Sequence, residues 1–248
     1  MALLTTFGIP AGIYIASIVS LMQWVSTHQV NWFVSLCAGM LGISIYSFHR
    51  ASISMTLATK SHLQPRHLFA IHHKSVCIAL SVIAFFASVV GLVMKDPMLG
   101  LLPLVGFASI LLYGKPLLKA PFRTIPLLKP LMVGFGISSF GYCLFVFSIP
   151  VEIVIAFGLI CSADAFLCDV EDIAFDQECG CTTLASKITH ANRMFAAMFF
   201  YGVTAILLPI EVSIGFLALS IPFIWQRFVN RTYIDVRPVI ILLLAWLV

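Results

Sequence analysis

The chain has 248 residues, of which 61% are hydrophobic and only 10% are charged, with a formal net charge of +4. A soluble domain is normally about a quarter charged. This composition therefore excludes a water-soluble globular fold and indicates that lipid surrounds most of the chain. The basic residues are scattered over several loops rather than gathered into one stripe, which gives no support to nucleic-acid binding.

Eight apolar segments approach the length of a transmembrane helix, which is about 20 residues. In chain order they are Phe7–Trp24, Asn31–Phe48, Val76–Met94, Met98–Tyr113, Leu131–Ile149, Val151–Cys168, Met194–Pro209 and Val212–Trp225. A ninth apolar run, Val239–Val248, would cross only half a bilayer at about 1.5 Å per residue, so it is either a half-span or a span cut short. We expect an all-α polytopic membrane bundle of eight to nine transmembrane helices, forming a single domain over residues 1–248.

The basic residues predict the orientation of this bundle. Of the 14 lysines and arginines, all but Lys95 fall in alternate loops, after the second, fourth, sixth and eighth spans. Because cytoplasmic loops are enriched in lysine and arginine, we expect the N-terminus and these four loops to be cytoplasmic. We expect the protein to lie in the plasma (inner) membrane.

Half of the ten acidic residues fall within ten positions at the end of the sixth span: Asp169, Glu171, Asp172, Asp176 and Glu178. At about 100° per residue, the three aspartates lie within an arc of about 60° on one side of a helix. Stacked like charges repel, and Mg²⁺ suits such a face because it binds one or two carboxylates together with water and phosphate oxygens. The alternative is an acidic loop in solvent.

A further acidic residue, Asp164, lies about one turn inside the membrane end of the same span. A carboxylate at this depth is costly unless it is paired or hydrated. Asp164 is therefore either the buried partner of a basic group or part of the wall of a polar cavity.

The acidic segment resembles the second aspartate-rich motif of the UbiA family of intramembrane prenyltransferases. That motif reads D-x-x-D-x-x-x-D, followed by a glycine and then Thr-Leu. The match consists of Asp169, Asp172, Asp176, Gly180 and the pair Thr183-Leu184. The resemblance implies a helical bundle around a central cavity, in which the three aspartates bind Mg²⁺ and take part in catalysis.

The same resemblance implies the reaction and the substrates. An isoprenyl diphosphate would bind through Mg²⁺ and lose pyrophosphate, and a hydrophobic aromatic or lipid acceptor would attack the resulting allylic carbocation. The segment Tyr113–Lys119 looks like the family's tyrosine–proline–basic loop, and Ile125–Lys129 is similar to the segment that follows it. Carried over by position, Lys115, Lys119 and Arg123 would contact the diphosphate, although basic residues in a cytoplasmic loop also serve as a topology signal.

The first aspartate-rich motif of the family, N-D-x-x-D-x-x-x-D, has no acidic counterpart here. The corresponding segment is Ser44–Ser54, and no aspartate or glutamate occurs before Asp96. His49 stands where an aspartate would stand, next to Arg50. We therefore expect one Mg²⁺ rather than two, with Arg50 as a further diphosphate contact.

Three functions remain open from the sequence. The first is a UbiA-like prenyltransferase with an altered first site. The second is a non-catalytic relative that binds an isoprenoid or serves in the assembly of a membrane complex. The third is a transporter or channel with an acidic cytoplasmic mouth, for which Asp164 and Glu152 are the acids near the membrane.

Overall fold

The computed structural model describes residues 7–57, 65–114, 125–126, 128–178, 183–222 and 231–247, and regular structure in these ranges is helical, without a β strand. The helices are α1 (Ile9–Thr27), α2 (Trp32–Leu57), α3 (Pro65–His72), α4 (Lys74–Lys95), α5 (Leu102–Gly114), α6 (Leu128–Leu144), α7 (Val151–Glu171), α8 (Ile173–Glu178), α9 (Leu184–Lys187), α10 (His190–Leu207), α11 (Ile210–Ala218) and α12 (Arg231–Leu247). A 3₁₀ turn over Pro97–Leu101 leads into α5.

Four of these helices are long and apolar enough to cross a membrane by length and composition. They are Ile9–Thr27, Trp32–Ser52, Lys74–Lys95 and Val151–Glu171, and shorter apolar helices occupy Pro97–Ser109 and Leu128–Leu144. Each of the eight predicted spans contains a helix in the described residues, but two of these helices are shorter than predicted. In the fifth span the helix ends at Leu144, before Ile149, and in the eighth the helix Ile210–Ala218 has nine residues.

The outer face of α4 is apolar and exposed. Ile83, Phe86 and Val90 have 64%, 60% and 55% of their surface exposed, whereas Ala84 and Ser88 on the opposite face are buried. A helix that is apolar on its outer face as well as its inner face is typical of a protein surrounded by lipid. The predicted all-α membrane bundle is thereby confirmed.

The helices α1 and α2 approach each other through glycines. A Cβ atom added to Gly12 would lie 2.7 Å from the carbonyl oxygen of Gly39, and one added to Gly39 would lie 2.9 Å from the carbonyl oxygen of Gly12. Small residues allow membrane helices to pack with their backbones in contact. This close packing fixes α2 beside α1, and both helices contribute to the cavity described below.

The centre of the bundle is α7, which packs against α6 and α10 and also contacts α1 and α12. Its buried side chains include Phe157, Ile160, Phe166 and Leu167. Because neighbouring helices surround α7, its acidic residues Asp164 and Asp169 are buried inside the bundle.

The last apolar run belongs to a longer helix than the sequence indicated. Helix α12 begins at Arg231, eight positions before Val239, and its 17 residues extend about 25 Å. Arg231 and Arg237, which the topology analysis assigned to a loop, lie within this helix, and Arg237 is fully buried. The interpretation of these two arginines as loop residues was therefore wrong, because each has an acidic partner inside the bundle.

Candidate active site

A cavity of about 390 Å³ lies between α1, α2, α6, α7 and α12, with α3, α5 and α8 at its margins. Most of its wall is apolar. Its polar lining residues are Tyr14, Tyr46, His49, Arg50, His67, Ser109, Lys129, Asp164, Asp169, Asp172, Asp176, Arg231 and Asp235. These residues form an outer group around the aspartates at the end of α7 and an inner group around Asp164, five residues and about 7.5 Å earlier on that helix.

The three motif aspartates all line this cavity. Asp169 lies in the last turn of α7, Asp172 caps that helix, and Asp176 lies in α8. The amide of Asp172 donates to the carbonyl of Asp169 (3.2 Å), and the amide of Asp176 donates to that of Asp172 (2.8 Å), so the helical path continues through the motif. Glu171 is exposed and does not line the cavity. The three aspartates share one cavity, although the first helix ends at Glu171 and Asp176 belongs to the next helix rather than to the same one.

Basic side chains bind all three carboxylates. The Nζ atom of Lys129 lies 2.7 Å from Asp169 Oδ1 and 2.9 Å from Asp176 Oδ2. The Nη2 atom of Arg231 lies 3.0 Å from Asp172 Oδ2. These pairs are mostly shielded from solvent, since the five side chains are between 8% and 21% exposed. The positive charge that offsets the aspartates in this arrangement therefore comes from the protein itself.

The opposite wall of the outer group belongs to α2. Tyr46, His49 and Arg50 line the same cavity as the aspartates, and the Arg50 guanidinium lies 5.8 Å from the centroid of the Tyr46 ring. The end of the second span and the end of the sixth therefore both contribute residues to one cavity.

The helix α3 packs on α2 beside the mouth of this cavity. His67 of α3 stacks on Phe175 of α8, with ring centroids 4.3 Å apart and an interplanar angle of 28°. Phe175 lies between Asp172 and Asp176 in the sequence. This contact joins α3 to the segment that carries the motif, and both rings line the cavity.

Lys115, Lys119 and Arg123, the predicted diphosphate contacts after the fourth span, lie outside the described residues, as does Gly180 of the motif. Thr183 is buried and caps α9.

Sequence analysis did not identify two basic residues of the site. Lys129 was noted only as part of a family-like segment, and Arg231 was interpreted as a loop residue. The spacing of Arg231, Asp235 and the apolar run that follows could have predicted a helix with a polar first turn.

The inner group centres on Asp164, which is buried and paired. Its Oδ2 atom accepts a hydrogen bond of 2.7 Å from the Tyr14 hydroxyl. Its Oδ1 atom accepts hydrogen bonds from the Tyr201 hydroxyl and from Nη2 of Arg237. Nη1 of Arg237 donates to Ser220 Oγ at 2.5 Å. Both interpretations of Asp164 hold, because it is the partner of a basic group and it also lines the cavity.

These helices and their cavity define the fold of the UbiA-type intramembrane prenyltransferases. The structure is similar to that of a digeranylgeranylglyceryl phosphate synthase of membranes, with a TM-score of 0.54 and 13% sequence identity. The alignment covers 100% of this chain and 96% of that synthase. No family model and no curated protein matches the sequence. At this identity the likeness establishes the fold, and the function must be argued from the site.

Proposed function

We propose that this protein is an intramembrane prenyltransferase, which transfers an isoprenyl group from an isoprenyl diphosphate to a hydrophobic acceptor. The observation that carries the proposal is that Asp169, Asp172 and Asp176 line the same cavity as His49 and Arg50, and that most of the wall of this cavity is apolar. A diphosphate joined to a long hydrocarbon chain has the same division into a charged end and an apolar end.

The basic residues of the outer group provide the contacts for the diphosphate. Arg50, Lys129 and Arg231 line this end of the cavity, and guanidinium and ammonium groups bind phosphate oxygens strongly. Lys115, Lys119 and Arg123 are proposed as further contacts from the resemblance alone. When a diphosphate binds, Lys129 and Arg231 exchange part of their interaction with the aspartates for interactions with phosphate oxygens.

The acidic side chains that line the cavity would suit one Mg²⁺ rather than two. Asp169, Asp172 and Asp176 supply the oxygen ligands that Mg²⁺ prefers, whereas the α2 wall presents an imidazole and a guanidinium, which are poor partners for this ion. In the part of the chain that the structure describes, no group of three or more acidic, histidine or cysteine side chains is arranged to hold a metal. The three aspartates must therefore separate from Lys129 and Arg231 to act as ligands. Bound Mg²⁺ would add positive charge against the leaving diphosphate.

The apolar wall has a separate role. Ile15, Leu41, Val133, Ile137 and Phe140 line the cavity beyond its polar end. Such a wall accommodates the isoprenyl chain and excludes water, which would otherwise react with an allylic cation. We also propose that the aspartate end faces the cytoplasm of a plasma (inner) membrane protein, because most basic residues lie at that end of the predicted spans.

A second function is favoured by one specific observation. All three motif carboxylates are already ion-paired with Lys129 or Arg231, and the α2 wall contains no acid. A protein that binds an isoprenoid without turning it over would need no metal and would keep these ion pairs. The two functions predict different effects of Mg²⁺.

The test uses purified protein in lipid nanodiscs with geranylgeranyl diphosphate as the probe. We expect this diphosphate to raise the melting temperature, and we expect Mg²⁺ to increase the shift. A ligand at a hundred times its Kd contributes about 2.7 kcal/mol. The variants Asp172→Asn and Asp176→Asn should lose the Mg²⁺ effect. Glu171→Gln is the matched control, since it removes an acid of the same cluster that does not line the cavity.

The outcomes separate the proposals. Release of pyrophosphate that needs Mg²⁺ and Asp172 supports the transferase. Stabilisation by geranylgeranyl diphosphate that is independent of Mg²⁺, without pyrophosphate release for any acceptor, supports the non-catalytic protein. A melting temperature that does not respond to the diphosphate at all contradicts both.

A further inference from the structure

The inner polar group provides a hydrogen-bonding site in the apolar part of the cavity. Tyr14 and Asp164 line the cavity, whereas Tyr201 and Arg237, which bind the same carboxylate, do not. A carboxylate and a guanidinium at this depth are costly, even when they are paired. The ion pair explains why Asp164 is tolerated, but it does not explain why Tyr14 and Asp164 line the cavity.

We propose that Tyr14 binds the hydroxyl group of the acceptor, a phenol or a lipid alcohol, and that Asp164 positions Tyr14 for this contact. This inference rests on the proposed transferase function and deepens it. It assigns to Tyr14 the contact that selects an acceptor with a hydroxyl group, and to Asp164 the positioning of Tyr14.

The direction of the Tyr14 hydrogen bond defines what the site can recognise. The Tyr14 hydroxyl donates its proton to Asp164 Oδ2 over 2.7 Å. A phenolic hydroxyl has one proton to donate and lone pairs that accept. Because Asp164 takes the proton, the Tyr14 oxygen acts as an acceptor. The Cys161 thiol, which lines the same cavity, also interacts with this oxygen. A thiol is a weak donor, so a ligand O–H group forms the stronger interaction with the Tyr14 oxygen.

The charge balance of the network defines the charge of the ligand. Asp164 carries one negative charge and Arg237 carries one positive charge, and the two groups are in contact. The inner site is therefore electrically neutral overall. A carboxylate on the ligand would face the Asp164 carboxylate, because Arg237 does not line the cavity, and an ammonium would compete with Arg237 for Asp164. A neutral hydroxyl carries neither cost.

The spacing along α7 agrees with a second substrate at this position. Asp164 precedes Asp169 by five residues, which corresponds to about 7.5 Å along the helix. Reacting atoms in a productive complex lie about 3–3.5 Å apart. The distance of about 7.5 Å along α7 between Asp164 and Asp169 is therefore long enough for two reacting atoms. One is the isoprenyl carbon bonded to the diphosphate, and the other is the attacking atom of an acceptor bound to Tyr14.

Tyr14 and Tyr201 form a matched pair for the test. Both hydroxyls donate to Asp164, so Tyr14→Phe and Tyr201→Phe each remove one hydrogen bond from the same carboxylate. The Tyr201 hydroxyl also accepts from Nη2 of Arg237 at 2.9 Å, so Tyr201→Phe disturbs the network at least as much as Tyr14→Phe does. Only Tyr14 lines the cavity. A structural role would make the two variants behave alike, whereas a role in binding the acceptor separates them.

The experiment measures the binding of two pairs of probes to the protein in nanodiscs without any diphosphate. The pairs are 4-hexylphenol with hexylbenzene, and dodecanol with dodecane. We expect at least one hydroxyl compound to bind wild type and Tyr201→Phe roughly three- to tenfold more tightly than its hydrocarbon, the effect of one neutral hydrogen bond. Tyr14→Phe should lose this preference. The pair that responds shows whether the hydroxyl is phenolic or aliphatic.

Three results would overturn the inference. They are no preference for the hydroxyl compound in wild type, the same preference in Tyr14→Phe as in wild type, and an equal loss of this preference in Tyr14→Phe and Tyr201→Phe.

Should Tyr14→Phe fail to fold, 3-fluorotyrosine at position 14 provides a second measurement. Its ¹⁹F resonance should shift with the responding hydroxyl compound and not with the hydrocarbon, and the same label at Tyr201 should not shift. Binding of geranylgeranyl diphosphate is measured separately, so failure of the diphosphate site is distinguishable from failure of the hydroxyl site.

Discussion

Lys129 contacts Asp169 through an ion pair of 2.7 Å at the polar end of the cavity. The same ammonium group lies 2.9 Å from Asp176, so a single cation holds together two carboxylates from consecutive helices, α7 and α8. This arrangement stabilises the motif without a metal, and it means that a metal or a diphosphate must compete with a basic residue already in the site.

Replacement of Lys129 by methionine should therefore have two linked effects. It leaves two shielded carboxylates without their shared cation, which should destabilise the protein by about 2–3 kcal/mol. Millimolar Mg²⁺ should then restore more stability to Lys129→Met than it adds to wild type, because the carboxylates are available as ligands. Thermal unfolding in nanodiscs with and without Mg²⁺ measures both effects. Equal Mg²⁺ responses in the two proteins would mean that these aspartates do not form an ion site.

Replacement of Arg50 by glutamine should weaken diphosphate binding rather than the fold. A charge-assisted hydrogen bond contributes about 1.5–3 kcal/mol, so the Kd for geranylgeranyl diphosphate should rise by roughly ten- to a hundredfold. Isothermal titration calorimetry of the protein in nanodiscs measures this Kd. The control is His72→Gln, which changes an exposed polar residue of α3 that does not line the cavity. An unchanged Kd in Arg50→Gln would show that Arg50 of α2 does not bind the diphosphate.

The pair Asp164 and Arg237 should dominate the stability of the inner part of the bundle. Arg237 is fully buried and Asp164 nearly so, and removal of one partner of a buried ion pair costs about 3–5 kcal/mol. Asp164→Leu and Arg237→Met should each destabilise by this amount, and the double variant should be more stable than either single variant. Unfolding in mixed detergent–SDS micelles provides the double-mutant cycle. Additive losses would show that the two charges do not interact.

Packing between α1 and α2 offers a test of the fold itself. Gly12→Val places a side chain against the Gly39 carbonyl, where a Cβ atom would be only 2.7 Å away. Overpacking of this kind costs about 1–3 kcal/mol. Gly202→Ala is the matched control, since no atom lies within 4 Å of a Cβ atom at that position. A loss of stability in the control equal to that in Gly12→Val would show that the close contact is not the cause.

The sequence was sufficient to predict the helices and the orientation of the motif. Hydropathy located the spans because backbone in lipid must satisfy its own hydrogen bonds within a helix. The spacing of Asp169, Asp172 and Asp176 predicted a shared face because helical geometry is local. Both predictions depend on residues near one another in the chain.

The partners of these aspartates could not be predicted in the same way. Lys129 is 40 or more positions before them and Arg231 about 60 positions after, so only the packing of α6, α7 and α12 brings the charges together. Arg237 was interpreted as a topology signal for the same reason, because a single sequence does not reveal that an arginine enters the bundle to meet Asp164. Proposed roles for the aspartates, Arg50, Lys115, Lys119 and Arg123 remain predictions.

The most direct test of the central claim is an experimental structure with Mg²⁺ and a non-hydrolysable analogue, geranylgeranyl thiolodiphosphate. The account predicts that the diphosphate lies between Arg50 on α2 and Asp172 at the end of α7, with its isoprenyl chain in the apolar part of the cavity. Density for the analogue outside this cavity, with Lys129 still paired to Asp169 and Asp176, would contradict it.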